Sequence, residues 1–355
     1  MLMPPPLAAS DVTSRLVALR PDADPGDPAT TATWVRGALD AGLLDQPQPG
    51  SGRTADRFQA LAEIARADLD VGRLAEAHLD AQAIVVELTG KDADRSLPPL
   101  PDGLDRSRLW GVWAANPPSP KVIAAQVSGD WQLDGTKPWC SGAGCCDAAL
   151  VTADAPDGYR LFAVDLHDPS AHPVDDTWPA RSMRGSDSRS VCFTATPAVA
   201  IGDVDAYLSR PGFWHGAVGV AAAWLGGAWG VAEPLGEAAR RRRLHPHGLA
   251  HAGAVDAALA AAEAILGRAV DAIDNDPANT AGQAELMARR VRAVVERTAA
   301  EVVDRVGRAL GAAPLALDAV HAKRVGDLEL FVRQSHAERD LEAHGRLLAD
   351  LDQQQ

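Results

Sequence analysis

From Asp56 to Leu88 the apolar residues Phe58, Leu61, Ile64, Ala65, Leu69, Val71, Leu74, Ala77 and Leu79 return at three- and four-residue intervals. That spacing puts them on one face of a helix and predicts two or more amphipathic helices. Residues 1 to about 30 are rich in Pro, Ala and Asp, which predicts a loose start with at most one short helix at "DVTSRLVALR". Between "RSLPPLPDGLDRSR" and Asp205 the texture changes to short β-type runs, "LWGVWAA", "KVIAAQVSG", "WQLDGTKPW", "AALVTA", "YRLFAVDL" and "RSVCFTATPAVAI". Gly, Pro and Asp turns separate them, the pattern of an antiparallel sheet or small barrel. From Arg210 to Leu351 alanine-rich periodic stretches take over, broken near "LHPHG", "DNDPANTAG" and "LGAAPLALD", which implies four helices long enough for a bundle. The order is a helical segment over 1–108, a β segment over 109–205 and a helical segment over 206–355.

The chain has 355 residues, 46% hydrophobic and 23% charged, ordinary proportions for a folded soluble protein with a sizeable core. Its net charge of -14 repels a nucleic-acid backbone or an anionic membrane surface, so neither is expected as a partner. Cys140, Cys145, Cys146 and Cys192 lack the C-x2-C pairing of structural zinc and read as buried strand thiols. With no export signal at the N-terminus, a reduced, cytoplasmic setting is expected. The almost wholly apolar stretch Gly216 to Ala232 is at the short limit for a membrane span and contains a GxxxG match at Gly226 and Gly230; a helix buried in a soluble bundle is the expected reading.

Three stretches concentrate candidate chemistry. "LDGTKPWCSGAGCCDAALVTA" sets a Trp and a Ser directly after a Gly-Thr-Lys turn. "MRGSDSRSVCFTATPAVAI" sets a polar Ser-Asp-Ser-Arg turn before a strand, and "YLSRPGFWHGAVGVAAA" an Arg-Pro before a small-residue helix. In their order and residues these stretches resemble the acyl-CoA dehydrogenase family of flavoproteins, from roughly Asp56 to Leu348. The resemblance implies an α+β, mainly α architecture: N-terminal helical domain, central antiparallel β-barrel domain and C-terminal four-helix bundle, assembled as a homodimer or homotetramer.

It further implies FAD as cofactor, with Trp139 and Ser141 flanking the isoalloxazine and the Ser141 hydroxyl near the reactive N5. A flat aromatic wall and a neutral hydroxyl suit a ring that accepts hydride on one open face. Trp113, Arg243 and Gly311 are assigned to the same cofactor. Ser186, Asp187 and Arg189 fall where the family positions its acyl thioester, carried by CoA or a carrier protein; the alternative is a β-turn closed by the Asp side chain. Arg210 matches an Arg near the family's active site, while Ser209 occupies the place where some relatives carry the catalytic Glu. The remaining position for a base is Glu342, although an ordinary surface residue paired with Arg346 one turn on is the reading placed ahead of it. α,β-Dehydrogenation of a thioester requires a desolvated carboxylate to take the α-proton.

Departures from the family pattern are as informative. "AANPPSPK", "RRRRLHPHG" and "RALGAAP" replace segments that contact the flavin, its pyrophosphate and its adenine half. The Arg240 to Arg243 run either supplies new pyrophosphate contacts or complements a helix end. His245, His247 and His251 lack a carboxylate or Cys at metal-binding spacing, so no metal is expected. Two other readings stand beside the dehydrogenase: a flavin-dependent oxygenase or oxidase on the same fold, and a degenerate thioester-binding or scaffold protein.

Overall fold

The computed structural model describes residues 11–24, 26–90 and 108–353. The first ten residues of the expected loose start, and most of the "RSLPPLPDGLDRSR" turn region, lie outside them. In chain order come helices α1 (Asp11–Ala18), α2 (Pro28–Asp40), α3 (Thr54–Ala67) and α4 (Leu69–Thr89). Strands follow: β1 (Trp110–Trp113), β2 (Val122–Val127), β3 (Asp130–Lys137), β4 (Ala148–Ala155), β5 (Gly158–Asp165), β6 (Ala171–Val174) and β7 (Ser190–Ile201). The remainder is helical: α5 (Ala206–Ser209), α6 (Gly212–Arg240), α7 (Pro246–Asn275), α8 (Ala284–Leu310), α9 (Ala313–Leu317), α10 (Ala319–Phe331) and α11 (Glu338–Gln353).

Two compact units form, and they do not follow the chain order of the three sequence segments. One contains Leu19–Asp45 and Arg73–Phe213; the other contains the described residues up to Ala18, Gln46–Gly72 and Trp214 onward.

In the first unit, β2, β3, β7, β5 and β4 succeed one another in antiparallel pairs. The free edge of β4 takes β1 along Trp110↔Ala148 to Trp113↔Val151 and β2 at the single pair Ile123↔Asp154, both parallel. The expected antiparallel barrel is therefore closed by one parallel residue pair. Parallel neighbours need a crossover, and here β2, β3 and the loop after β3 provide it. Strand β4 is buried on both faces. Ala149, Val151 and Ala153 join Trp113, Leu133, Phe162 and Phe193 in one core. Ala148 and Leu150 join Leu161, Ala163 and Ile201 against Ala81, Ile84 and Val85 of α4 in another. Double-sided burial explains why this strand reads as a continuous apolar run rather than an alternation.

In the helical unit, α6 passes so near α3 that a Cβ on Gly226 would overlap the carbonyl oxygen of Ala62, and one on Gly230 would lie 2.9 Å from that of Arg66. The GxxxG match is a close helix crossing within this unit. Helix α7 buries Gly248, Ala252, Val255, Leu259, Ala262, Ala269 and Ile273, a three-four repeat that packs along α8. It is also the one helix among the described residues long and apolar enough to cross a membrane. The three expected breaks each have a local cause. His245 Nδ1 accepts from Gly248 N with Pro246 at the first helical position, Asp276 accepts from Thr280 and Ala281 N, and Asp318 accepts from Val320 and His321 N. A fourth break, which the sequence reading did not include, ends α10: a 3₁₀ turn over Val332–Gln334 and a left-handed Ala337 separate α10 from α11. The last of the four expected helices is thus two.

Candidate functional site

Strand β3 stops at Lys137 because Pro138 cannot extend the ladder. Trp139 then adopts φ +58°, and a tight turn over Ser141 to Cys145 leads into β4. The facing segment joins β6 to β7 and holds left-handed Met183 (φ +52°) and Asp187 (φ +44°). A bulky residue such as Trp in this region costs on the order of 1–3 kcal/mol and persists only where its surroundings fix it.

The surroundings here are a lattice of short bonds. Cys140 N donates to Arg189 O (2.9 Å), Gly142 N to Ser186 O (2.7 Å) and Ala143 N to Asp187 O (3.1 Å). Gly144 N donates to Asp187 Oδ2 (2.8 Å), and Trp113 Nε1 donates to Ser141 O (3.0 Å). Three buried hydroxyls form a chain: Ser141 Oγ lies 2.8 Å from Ser188 Oγ, which lies 2.9 Å from Ser186 Oγ, which donates to Met183 O at 2.7 Å. The Ser141 amide takes no partner among the described residues. The Trp139 side chain, in contrast, is 58% exposed. On one side Lys137 is buried and donates to Thr152 O (2.6 Å) and Oγ1 (2.8 Å); burial lowers its ammonium to about 8. On the other, Arg36 grips Asp147 with both terminal nitrogens (3.0 and 2.8 Å) and donates to Cys145 O.

Six of the sequence-derived candidates therefore come together: Trp113, Trp139, Ser141, Ser186, Asp187 and Arg189. Asp187 acts as a turn lock, and the Arg189 fork is occupied by Asp187 (2.7 and 3.0 Å) and Asp175 (2.7 Å). Arg210 lies in the same unit, buried at the end of α5, with its guanidinium on Glu87 (2.8 Å) and over the Tyr207 ring. The other three lie in the helical unit. Glu342 is exposed on α11 and paired with Arg346; Arg243 is exposed beyond the end of α6; Gly311 (φ +71°) is the C-cap of α8. Cys140, Cys145 and Cys146 sit on the turn rather than in a strand, only Cys192 lies in one, β7, and of the four only Cys140 and Cys146 are buried. Burial pushes the Cys140 thiol well up.

Sequence reading did not assign Arg36 or Asp147 to this site, and it placed Ser188 in the polar turn without giving it a role of its own. Ser188 and Asp147 stood inside quoted motifs. Arg36 gave no signal, because its partner Asp147 lies 111 residues further along the chain.

No family model matches this chain, and no curated protein sequence matches it. Solved structures do. A complex of the dibenzothiophene monooxygenase of Paenibacillus sp. A11-2 with FMN and indole is similar over 96% of both chains at 21% identity, TM-score 0.77. The methanesulfinate monooxygenase of Pseudomonas fluorescens is similar over 96% of this chain and 93% of its own, at 18% identity and TM-score 0.74. A steroid ACAD is similar over 95% and 93%, at 22% identity and TM-score 0.70. The chain has the fold of the acyl-CoA dehydrogenase-like flavoproteins.

Proposed function

We propose that the chain is a flavin-dependent oxidoreductase acting with dioxygen, an oxygenase or oxidase on this fold. Three features of the Ser141 turn support flavin. An exposed indole is held in place by a left-handed backbone; beside it the Ser141 amide has no partner among the described residues, and the Ser141 hydroxyl, bonded to Ser188, keeps lone pairs to accept with. An aromatic wall with one donor and one acceptor beside it fits the edge of an isoalloxazine. When bound, flavin supplies the electron transfer. The residues supply the rest: Trp113 and Ser188 fix the turn, Trp139 covers the ring, and Ser141 meets its edge.

The observation that favours oxygen chemistry over thioester dehydrogenation is the state of Glu342. A base for an α-proton must be desolvated and free, whereas Glu342 is exposed and ion-paired. Ser209 stands at the other position for a base. An oxygen-dependent reaction needs neither carboxylate. The flavin we favour is the mononucleotide, since the segments expected to grip an adenine half are altered and the monooxygenase above is solved with FMN. Thioester dehydrogenation remains the second reading, supported by the similarity to a steroid ACAD.

Purified protein supplied with FMN or FAD, a flavin reductase and NADH decides between them. The proposal expects stoichiometric flavin binding and oxygen uptake above that of free reduced flavin. Anaerobic bleaching of bound flavin by an acyl-CoA would favour the dehydrogenase instead.

A further inference from the structure

Resting on the flavin reading, we infer that Ser186 and Ser188 are positioning residues that make Ser141 a hydrogen-bond acceptor, so that the site selects reduced over oxidised flavin. A serine hydroxyl has one hydrogen to give and lone pairs to receive with. The carbonyl of Met183 can only accept, so Ser186 donates its one hydrogen there, at 2.7 Å. The 2.9 Å contact between Ser186 and Ser188 then requires Ser188 to donate to Ser186. Ser188, its hydrogen committed, can only accept from Ser141 across 2.8 Å. The direction of the whole chain follows from the carbonyl at its end.

Ser141 is left with an oxygen that accepts and an amide that donates. Reduced flavin offers the complement along one edge, a hydrogen on N5 beside the O4 acceptor. Oxidised flavin offers two acceptors, of which N5 faces another acceptor. A buried polar contact between two acceptors is unfavourable, because both lone pairs lose water and gain no hydrogen. All three serines are buried, at 0% exposure for Ser186 and 5% for Ser141 and Ser188, so solvent does not relieve the mismatch. The Trp113 bond to Ser141 O fixes the backbone of the turn that carries the hydroxyl, and the Ser188 oxygen holds its hydrogen.

The test is the ratio of dissociation constants for oxidised and reduced FMN, measured anaerobically on the apo chain by ultrafiltration. Wild type is expected to bind reduced FMN about tenfold or more tightly. Ser188→Ala frees the Ser141 hydrogen to turn outward, and Ser186→Ala lets Ser188 donate to Ser141 with the same result. Both substitutions are expected to bring the ratio towards one with the far-ultraviolet dichroism unchanged. Oxidised FMN bound as tightly as reduced by wild type, or a ratio unmoved in both folded variants, overturns the inference while flavin binding itself stands. If a variant does not fold, the wild-type ratio decides alone. Binding of neither redox state overturns this inference together with the flavin reading beneath it.

Discussion

Lys323 Nζ lies 2.8 Å from Asp70 Oδ2, inside the helical unit, and the same ammonium reaches Asp68 at 3.0 Å and Asp327 at 2.6 Å. Three buried carboxylates share one cation. Burial, with the charges of Asp68 and Asp327 added, pushes the Asp70 carboxyl up to about 7 against the pull of Lys323. Burial works against the Lys323 charge too, but the three carboxylates hold it well above its ordinary value.

For an acid whose folded value is raised, the unfolded chain releases its proton first. Stability from Asp70 is therefore complete below about pH 4 and declines as pH rises towards 7, at up to about 1.4 kcal/mol per pH unit. Asp70→Asn should match wild type near pH 4 and exceed it at pH 8 by about 2–4 kcal/mol. Urea unfolding at the two pH values checks this; a variant weaker than wild type at pH 8 contradicts it. Lys323→Met leaves the carboxylates uncompensated and should lose about 3–5 kcal/mol at pH 8.

Two glycines in long helices should respond oppositely to alanine. At Gly226 the added methyl has to displace the Ala62 carbonyl, so Gly226→Ala should destabilise by about 2 kcal/mol or more. At Gly267, exposed in α7, a Cβ meets nothing within 4 Å. There the better helix former should stabilise by about 0.5–1 kcal/mol. Thermal melts of the two variants, one below and one above wild type, are the expected pair.

Asp147 accepts from Leu109 N at 2.8 Å as well as from Arg36, and these bonds with the Arg36 charge hold its carboxyl below the usual range despite burial. The stability it contributes is present above about pH 4 and lost as pH falls below that. Asp147→Ala should cost about 1–3 kcal/mol at pH 7, less at pH 3, and weaken flavin binding by loosening the turn that carries Ser141. Unchanged flavin affinity would show that the Arg36 grip does not position that turn.

Glu342→Gln should alter neither flavin binding nor oxygen uptake by more than about twofold, as expected for a surface ion pair of small value. Loss of acyl-CoA bleaching in that variant would reinstate the thioester reading.

Much of the fold was legible because periodicity records burial. Helical spacing marked α3 and α4, and turn residues marked six of the seven strands and three of the four late breaks; the short β6, with Pro173 inside it, was not among the expected runs. The fourth break was hidden because Val332–Gln334 carries no Gly or Pro, and nothing local announces a left-handed Ala337. Parallel closure of the sheet was invisible for a different reason: which strand borders β4 depends on contacts distant in sequence. At the site, motif residues such as Trp139, Ser141 and Ser186 could be picked out one by one. The direction of the serine chain could not, since it depends on a carbonyl, Met183 O, that every residue type carries.

The most direct measurement is flavin titration of wild type and Trp139→Ala. Wild type should bind one FMN per chain and quench the fluorescence of the exposed indole. Trp139→Ala should retain its fold and bind at least about tenfold more weakly, without that quenching. Equal affinity in the two proteins, or no binding of FMN or FAD by wild type at saturating concentration, would contradict the placement of a flavin against the Ser141 turn.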